Sequence, residues 1–156
     1  MFKRLFGKKV PEYRVDCAMC NLGLTLEIDS NLQPSVYEHD PSSKKFAEIN
    51  CPFCKTSLAV ICNYKGEFIA RDIKWDIEVD KYEEQESDLG DQENELDDII
   101  DNYDGNYNDQ EVDEAKKRLG QIETKLEKVH ESFDSKDYRY RDRQANWQDK
   151  MKDKYG

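Results

Sequence analysis

Long apolar runs are missing from this chain, strongly apolar residues are sparse, and one 36-residue stretch has almost no positive charge. No run approaches the roughly 20 apolar residues that a bilayer span needs. No apolar N-terminal core with a cleavage site marks a secretory leader. An intracellular, cytoplasmic protein is therefore expected. An even cysteine count is missing too: five cysteines without an export signal argue for reduced thiols rather than a disulfide framework. With 38% charged residues and a net charge of −11 in 156 residues, the apolar content is too thin for one compact core along the whole chain. A small folded module with extended parts is the expectation.

The missing positive charge is local. Residues 76–111 hold 16 acidic side chains against a single basic one, Lys81, whereas residues 1–75 hold 11 basic and nine acidic side chains. The segments 112–133 (five of each sign) and 134–156 (seven basic, five acidic) are balanced or mildly positive. The acidity thus belongs to one middle stretch, which reads as a linker or an interaction arm.

What is present in the first half is a pattern of cysteines. Cys17-Ala18-Met19-Cys20 and Cys51-Pro52-Phe53-Cys54 are two CxxC units, each the start of a tight turn. Two intervening residues let both sulfurs of a turn face one ion, and two such turns complete the four tetrahedral ligands that Zn²⁺ prefers. Four thiols also suit an iron–sulfur cluster or a redox dithiol pair. The two units resemble the knuckles of the zinc-ribbon fold group, the second, Cys51-Pro52-Phe53-Cys54-Lys55-Thr56-Ser57, more closely than the first. That resemblance covers residues 13–79 and implies one structural Zn²⁺ on Cys17, Cys20, Cys51 and Cys54. It implies no activity, because four thiolates leave the metal no open position. Cys62, in an apolar run, reads as a core residue rather than a fifth ligand. The enzyme alternative is a zinc-containing HNH-type nuclease using His39, Asp40 and Asn50. Its motif order is inverted here, and no metal-binding His follows Cys54.

Around the cysteines the sequence reads as short strands. Leu24, Leu26 and Ile28 alternate with polar residues, Leu58 to Cys62 is apolar, and Tyr64-Lys65-Gly66-Glu67 suggests a hairpin turn. Ile69, Ile73, Trp75, Ile77 and Val79 suggest a strand with one buried face. Residues 1–12 place Phe2, Leu5, Phe6 and Val10 among basic residues and resemble the short membrane-targeting ends of some bacterial cell-division proteins. Alone they are too short to bind a membrane firmly.

Residues 80–107 read as an acidic, flexible linker with one amphipathic island. There Leu96, Ile99, Ile100 and Tyr103 recur at helical spacing, either docking on the chain's own ribbon or entering a partner's groove. Residues 108–133 read as a helix: Asn108 and Glu111 form a capping box, and Val112, Ala115, Leu119, Ile122, Leu126, Val129 and Phe133 repeat like coiled-coil positions. Such a seam needs a second helix or the ribbon, so a homo-oligomer through residues 112–133 is one outcome. Residues 134–156 interleave Tyr138, Tyr140 and Trp147 with Arg139, Arg141 and Arg143. Tyr138, Arg139, Tyr140, Arg141 and Arg143 are candidate nucleic-acid contacts, although interspersed aspartates weaken the field.

The expected architecture is a small antiparallel β zinc ribbon, an acidic flexible linker and a C-terminal α-helical, coiled-coil-like arm. The expected function is non-enzymatic binding to nucleic acid or to a nucleic-acid machine, with the acidic arm contacting a protein partner. The alternative is an oligomeric scaffold or adaptor.

Overall fold

The structure, a computed structural model, describes residues 12–27, 47–62 and 67–156. The basic N-terminal segment, the loop with His39 and Asp40, the hairpin turn at 64–66 and the Cys62 side chain lie outside the described residues. Five strands precede two helices: β1 (Glu12–Asp16), β2 (Gly23–Glu27), β3 (Ala47–Asn50), β4 (Ser57–Cys62), β5 (Phe68–Asp72), α1 (Ile73–Asp101) and α2 (Asp109–Tyr155). No helix among the described residues is long and apolar enough to cross a membrane.

The chain divides into two compact units. The first comprises residues up to Lys74 together with Arg143–Gly156, the second Trp75–Asp142. In the first, β1 and β2 form an antiparallel pair with Val15 opposite Leu24, and β3-β4-β5 form a three-stranded antiparallel sheet. β1 also packs beside β5. The central strand β4 is buried on both faces, since Leu58, Ala59 and Val60 are all nearly inaccessible. Leu58 and Val60 are the largest fully buried apolar side chains of this unit, and Val15, Met19, Leu24 and Ala70 complete its core among the described residues.

β5 ends earlier than the residue alternation suggests. The strand stops at Asp72 and a helix begins at Ile73, so the apolar positions through Val79 do not share a sheet face. Ile69 is 41% exposed and Ile77 48% exposed. Asp72 explains the switch: its Oδ1 accepts the backbone N–H of Lys74 at 3.1 Å, as an N-cap residue does, so the last strand residue also starts the helix. Asp76 in the first turn complements the helix dipole.

The acidic segment is likewise ordered rather than a flexible linker, for α1 runs unbroken through 29 residues to Asp101. Its apolar side chains are few but regularly placed. Trp75, Tyr82, Leu89 and Leu96 recur every seventh residue and meet a seam that descends α2. Trp75 stacks on Tyr140 at 4.3 Å between ring centroids, and Tyr82 on Phe133 at 4.0 Å. Further along, Leu96 is buried with Ala115 and Ile122, and Leu89, Ile99, Ile100, Leu119 and Leu126 pack against them. The two helices therefore run antiparallel, with a stack of rings at one end of the seam and aliphatic side chains at the other. One apolar residue per heptad suffices because α2 supplies the rest of the seam.

A tight connection joins the helices. Asn102, in the left-handed region at φ 42°, receives the chain from α1. Its side chain donates to Tyr107 O at 3.0 Å and accepts from Tyr107 N at 3.1 Å, closing the loop as a backbone pair would. Gly105 takes φ 63° between them, a conformation that glycine adopts without strain. Asn108 then caps α2: its Oδ1 accepts from Glu111 N at 2.8 Å, and its Nδ2 donates to Glu111 Oε1 at 3.2 Å. The cap is where the sequence places it. The helix it opens continues past residue 133 to Tyr155, 47 residues in all, or about 70 Å.

Candidate metal centre

Each cysteine pair sits on a turn built in the same way. After β1, Cys17 N donates to Leu22 O and Asn21 N to Cys17 O, both at 2.9 Å; after β3, Cys51 N donates to Thr56 O and Lys55 N to Cys51 O, both at 2.9 Å. The residue that follows the second cysteine is left-handed in both, Asn21 at φ 61° and Lys55 at φ 64°. Asparagine tolerates that region. Lysine does so less readily, and here Lys55 Nζ folds back to donate to Pro52 O at 3.0 Å. Two unrelated stretches of sequence thus adopt one turn, with four backbone hydrogen bonds fixing the cysteine Cα positions.

The turns bring the four sulfurs together. Cys17 Sγ lies 3.6 Å from Cys54 Sγ, and Cys20 Sγ lies 3.7 Å from Cys51 Sγ. All four sulfurs lie within 4.8 Å of one another. A metal–sulfur bond of about 2.3 Å in a tetrahedron implies a sulfur–sulfur edge of about 3.8 Å, close to the Cys17–Cys54 and Cys20–Cys51 separations. Both are far longer than a disulfide bond, and all four thiols are free. Relative exposure runs from 0% at Cys51 to 9% at Cys54, so the set is closed to solvent. These four cysteines could hold one metal ion, and no other group of three or more His, Cys, Asp or Glu is gathered in this way among the described residues.

Without a metal the thiols respond unequally to burial. Desolvation raises Cys17 well above the ordinary thiol value, against the lowering effect of the Cys20 and Met19 backbone N–H groups. Burial likewise pushes Cys20 up to about 11. At Cys54 burial also raises the pKa, but hydrogen bonding outweighs it, chiefly from the Thr56 side chain and backbone, and the net shift is downward. Thr56 Oγ1 lies 3.1 Å from Cys54 Sγ, placed to donate to a thiolate. These N–H and O–H donors are the second shell that stabilises metal-bound thiolates. The part played by Thr56 is foreshadowed in the sequence only by a hydroxyl two residues after the second CxxC.

The other candidate residues are dispersed. Leu96, Ile99 and Ile100 pack within the helical pair, while Tyr103 is 92% exposed at the connection. Among the five aromatic and basic residues of the tail, Tyr140 is buried in its stack with Trp75, and Tyr138 is 74% exposed. Arg139 donates to Ser135, through Nε to the carbonyl oxygen at 3.3 Å and through a terminal guanidinium nitrogen to the hydroxyl at 3.2 Å. Arg141 Nε donates to Asp137 Oδ2 at 2.8 Å, and Arg143 is exposed. A continuous aromatic and basic strip is thus not formed: the rings at 138 and 140 differ completely in accessibility. Asn50 is exposed and accepts from Ser57 Oγ at 3.0 Å, a bond that bridges the ends of β3 and β4. His130 lies on α2, with Nε2 2.9 Å from Glu86 Oε2.

Compared with known proteins, the chain matches no family model, no curated protein and no solved structure.

Proposed function

We propose that the four cysteines hold one structural Zn²⁺ in a zinc-ribbon arrangement, and that the chain is a non-enzymatic binding module whose acidic helix meets a basic surface on a protein partner. The observation that carries this reading is the closed donor set. Four buried thiols at tetrahedral spacing saturate a Zn²⁺ ion and leave no position for water or substrate, so the metal would supply folding energy rather than chemistry. All-sulfur donors select soft ions, and the backbone and hydroxyl donors around them suit a mononuclear thiolate site.

Binding is then left to the surface. α1 carries 13 acidic side chains against two basic ones, most of them exposed on a helix whose apolar seam is already filled. A field of that sign repels nucleic acid and attracts basic protein surfaces, such as those that a nucleic-acid machine presents. Withdrawal of Tyr140 into the helical seam favours this protein-directed reading over direct stacking on bases. The test is to compare proteins captured from the native host by the wild-type chain and by a variant in which exposed Glu83, Glu84, Asp91 and Glu95 become Gln or Asn. Proteins held by wild type, lost with the variant and insensitive to nuclease treatment support the reading. Identical capture by both, or retention of nucleic acid alone, refutes it. Metal analysis of the purified chain should give one zinc per molecule, and stoichiometric iron would refute the zinc assignment.

A further inference from the structure

The end of α2 touches both cysteine turns. Gln144 Nε2 donates at 2.8 Å to the carbonyl oxygen of Ala18, which lies inside the first CxxC turn. Further along the helix, the Tyr155 ring meets Phe53, inside the second CxxC turn, edge-on at 5.3 Å. Gln144, Trp147, Met151 and Tyr155 recur at spacings of three, four and four and so share one helix face, about 16 Å long. Gln144 and Trp147 are half-buried, and Met151 is only 4% exposed. One helical face thus spans two turns that belong to different sheets and whose cysteines meet at the metal centre.

We infer that residues 143–155 form a clasp on the metal centre, docked when the metal is bound and released when it is lost. The span between the Gln144 and Tyr155 side chains is fixed by the helix, whereas the distance between Ala18 O and the Phe53 ring depends on the four sulfurs staying together. A bound metal fixes that distance. Without it, four buried thiols hold the turns only by weak sulfur contacts, and the clasp loses one anchor or the other. Linkage makes the effect reciprocal: a clasp that prefers the metal-loaded turns raises metal affinity by the factor by which metal favours its docking. The sequence shows a mixed-charge aromatic tail here and gives no local sign of this role, because the partners of Gln144 and Tyr155 lie more than a hundred residues away.

This inference rests on the reading of the cysteines as a metal centre, and metal analysis tests that reading separately: a purified chain that takes up no Zn²⁺ would refute both. For a chain that does bind one Zn²⁺, hydrogen exchange on the full-length protein, loaded and then stripped with a chelator, reads the clasp. Stripping should speed exchange of residues 143–155 by about tenfold or more while residues 115–126 stay as protected as before. Transfer of Zn²⁺ to a chromogenic chelator should be about fivefold faster in Gln144→Ala, which loses one hydrogen bond. It should be roughly tenfold faster or more in Met151→Asp, which buries a carboxylate. Exchange in 143–155 that stripping leaves unchanged, or metal release at the wild-type rate in both variants, overturns the clasp.

Discussion

The two units of this chain reach order by opposite means. The strand unit has few large buried side chains, Leu58 and Val60 chief among them, and gathers four cysteines at one point. The helical unit gathers nothing at a point. It spreads its stabilisation along a seam in which each turn contributes a ring or an aliphatic side chain. If the cysteines hold an ion as proposed, the strand unit should fail all at once when that ion is lost, whereas a seam fails a residue at a time.

Removing one ligand should separate the units most sharply. Cys51→Ser, at a fully buried position, should abolish metal binding and with it the strand unit, because structural zinc contributes on the order of 10 kcal/mol to folding such modules. Exchange protection should vanish across β1 to β5 and persist at Leu96 and Ile122; loss at both would mean that the helical pair has no stability of its own. The converse change, Leu96→Ala, should destabilise the helical unit by about 2–5 kcal/mol by leaving a cavity beside Ala115 and Ile122. Metal stoichiometry should stay at the wild-type value.

The response to pH should change sign with the metal. In the metal-free chain burial raises Cys17 and takes Cys20 from 9.0 to about 11, so at these two positions the folded form favours the protonated thiol, whereas at Cys54 burial is outweighed by hydrogen bonding from Thr56 and the shift is the other way. The contribution of Cys17 and Cys20 is present below pH 9 and is lost as pH rises toward about 11, where the unfolded chain ionises more readily. With metal bound the thiolate is the favoured form, so acid rather than alkali releases the ion. Strand protection followed across pH should slope in opposite directions with and without metal, and zinc competition on the loaded chain should show release rising as pH falls. Parallel slopes would show that metal does not change which form of Cys17 and Cys20 the fold prefers.

Smaller changes sharpen the helical half of the contrast. Asn108→Ala removes the cap of α2 and should cost about 1 kcal/mol, read as a lower thermal midpoint of the helical signal. Gly120→Ala should raise that midpoint by a similar amount, since an added Cβ meets nothing within 4 Å and helix propensity improves by about 1 kcal/mol. Neither substitution should alter zinc release.

Much of the four-cysteine cluster was legible in the sequence, because the CxxC spacing within each turn is a local constraint, and only the meeting of the two turns needed the fold. The cap at Asn108 and the seam from Val112 to Phe133 were legible for the same reason. The partner of that seam was not. Between Tyr82 and Leu96, α1 carries one apolar side chain per heptad among carboxylates, a pattern that charge counting reads as unfolded until a second helix is supplied. The end of β5 was hidden by a coincidence of periods: Ile73, Trp75, Ile77 and Val79 alternate as a strand would, while Trp75 and Tyr82 already keep the seven-residue step. Asp72, as N-cap, decides between them. Thr56 and Gln144 act through contacts set by the fold, and only Thr56 lies near enough in sequence to hint at its partner.

The uneven chemistry of the helical seam also fixes its alignment. Trp75 and Tyr82 face Tyr140 and Phe133 at one end, while Leu96 sits among small and aliphatic neighbours at the other. Shifting one helix by a heptad would set a ring against a leucine and leave a void where a ring had been. The pair therefore carries an address as well as an adhesive: of the alignments that a seven-residue repeat permits, one matches the sizes along its whole length, and a chain leaving the ribosome has a single slot to find.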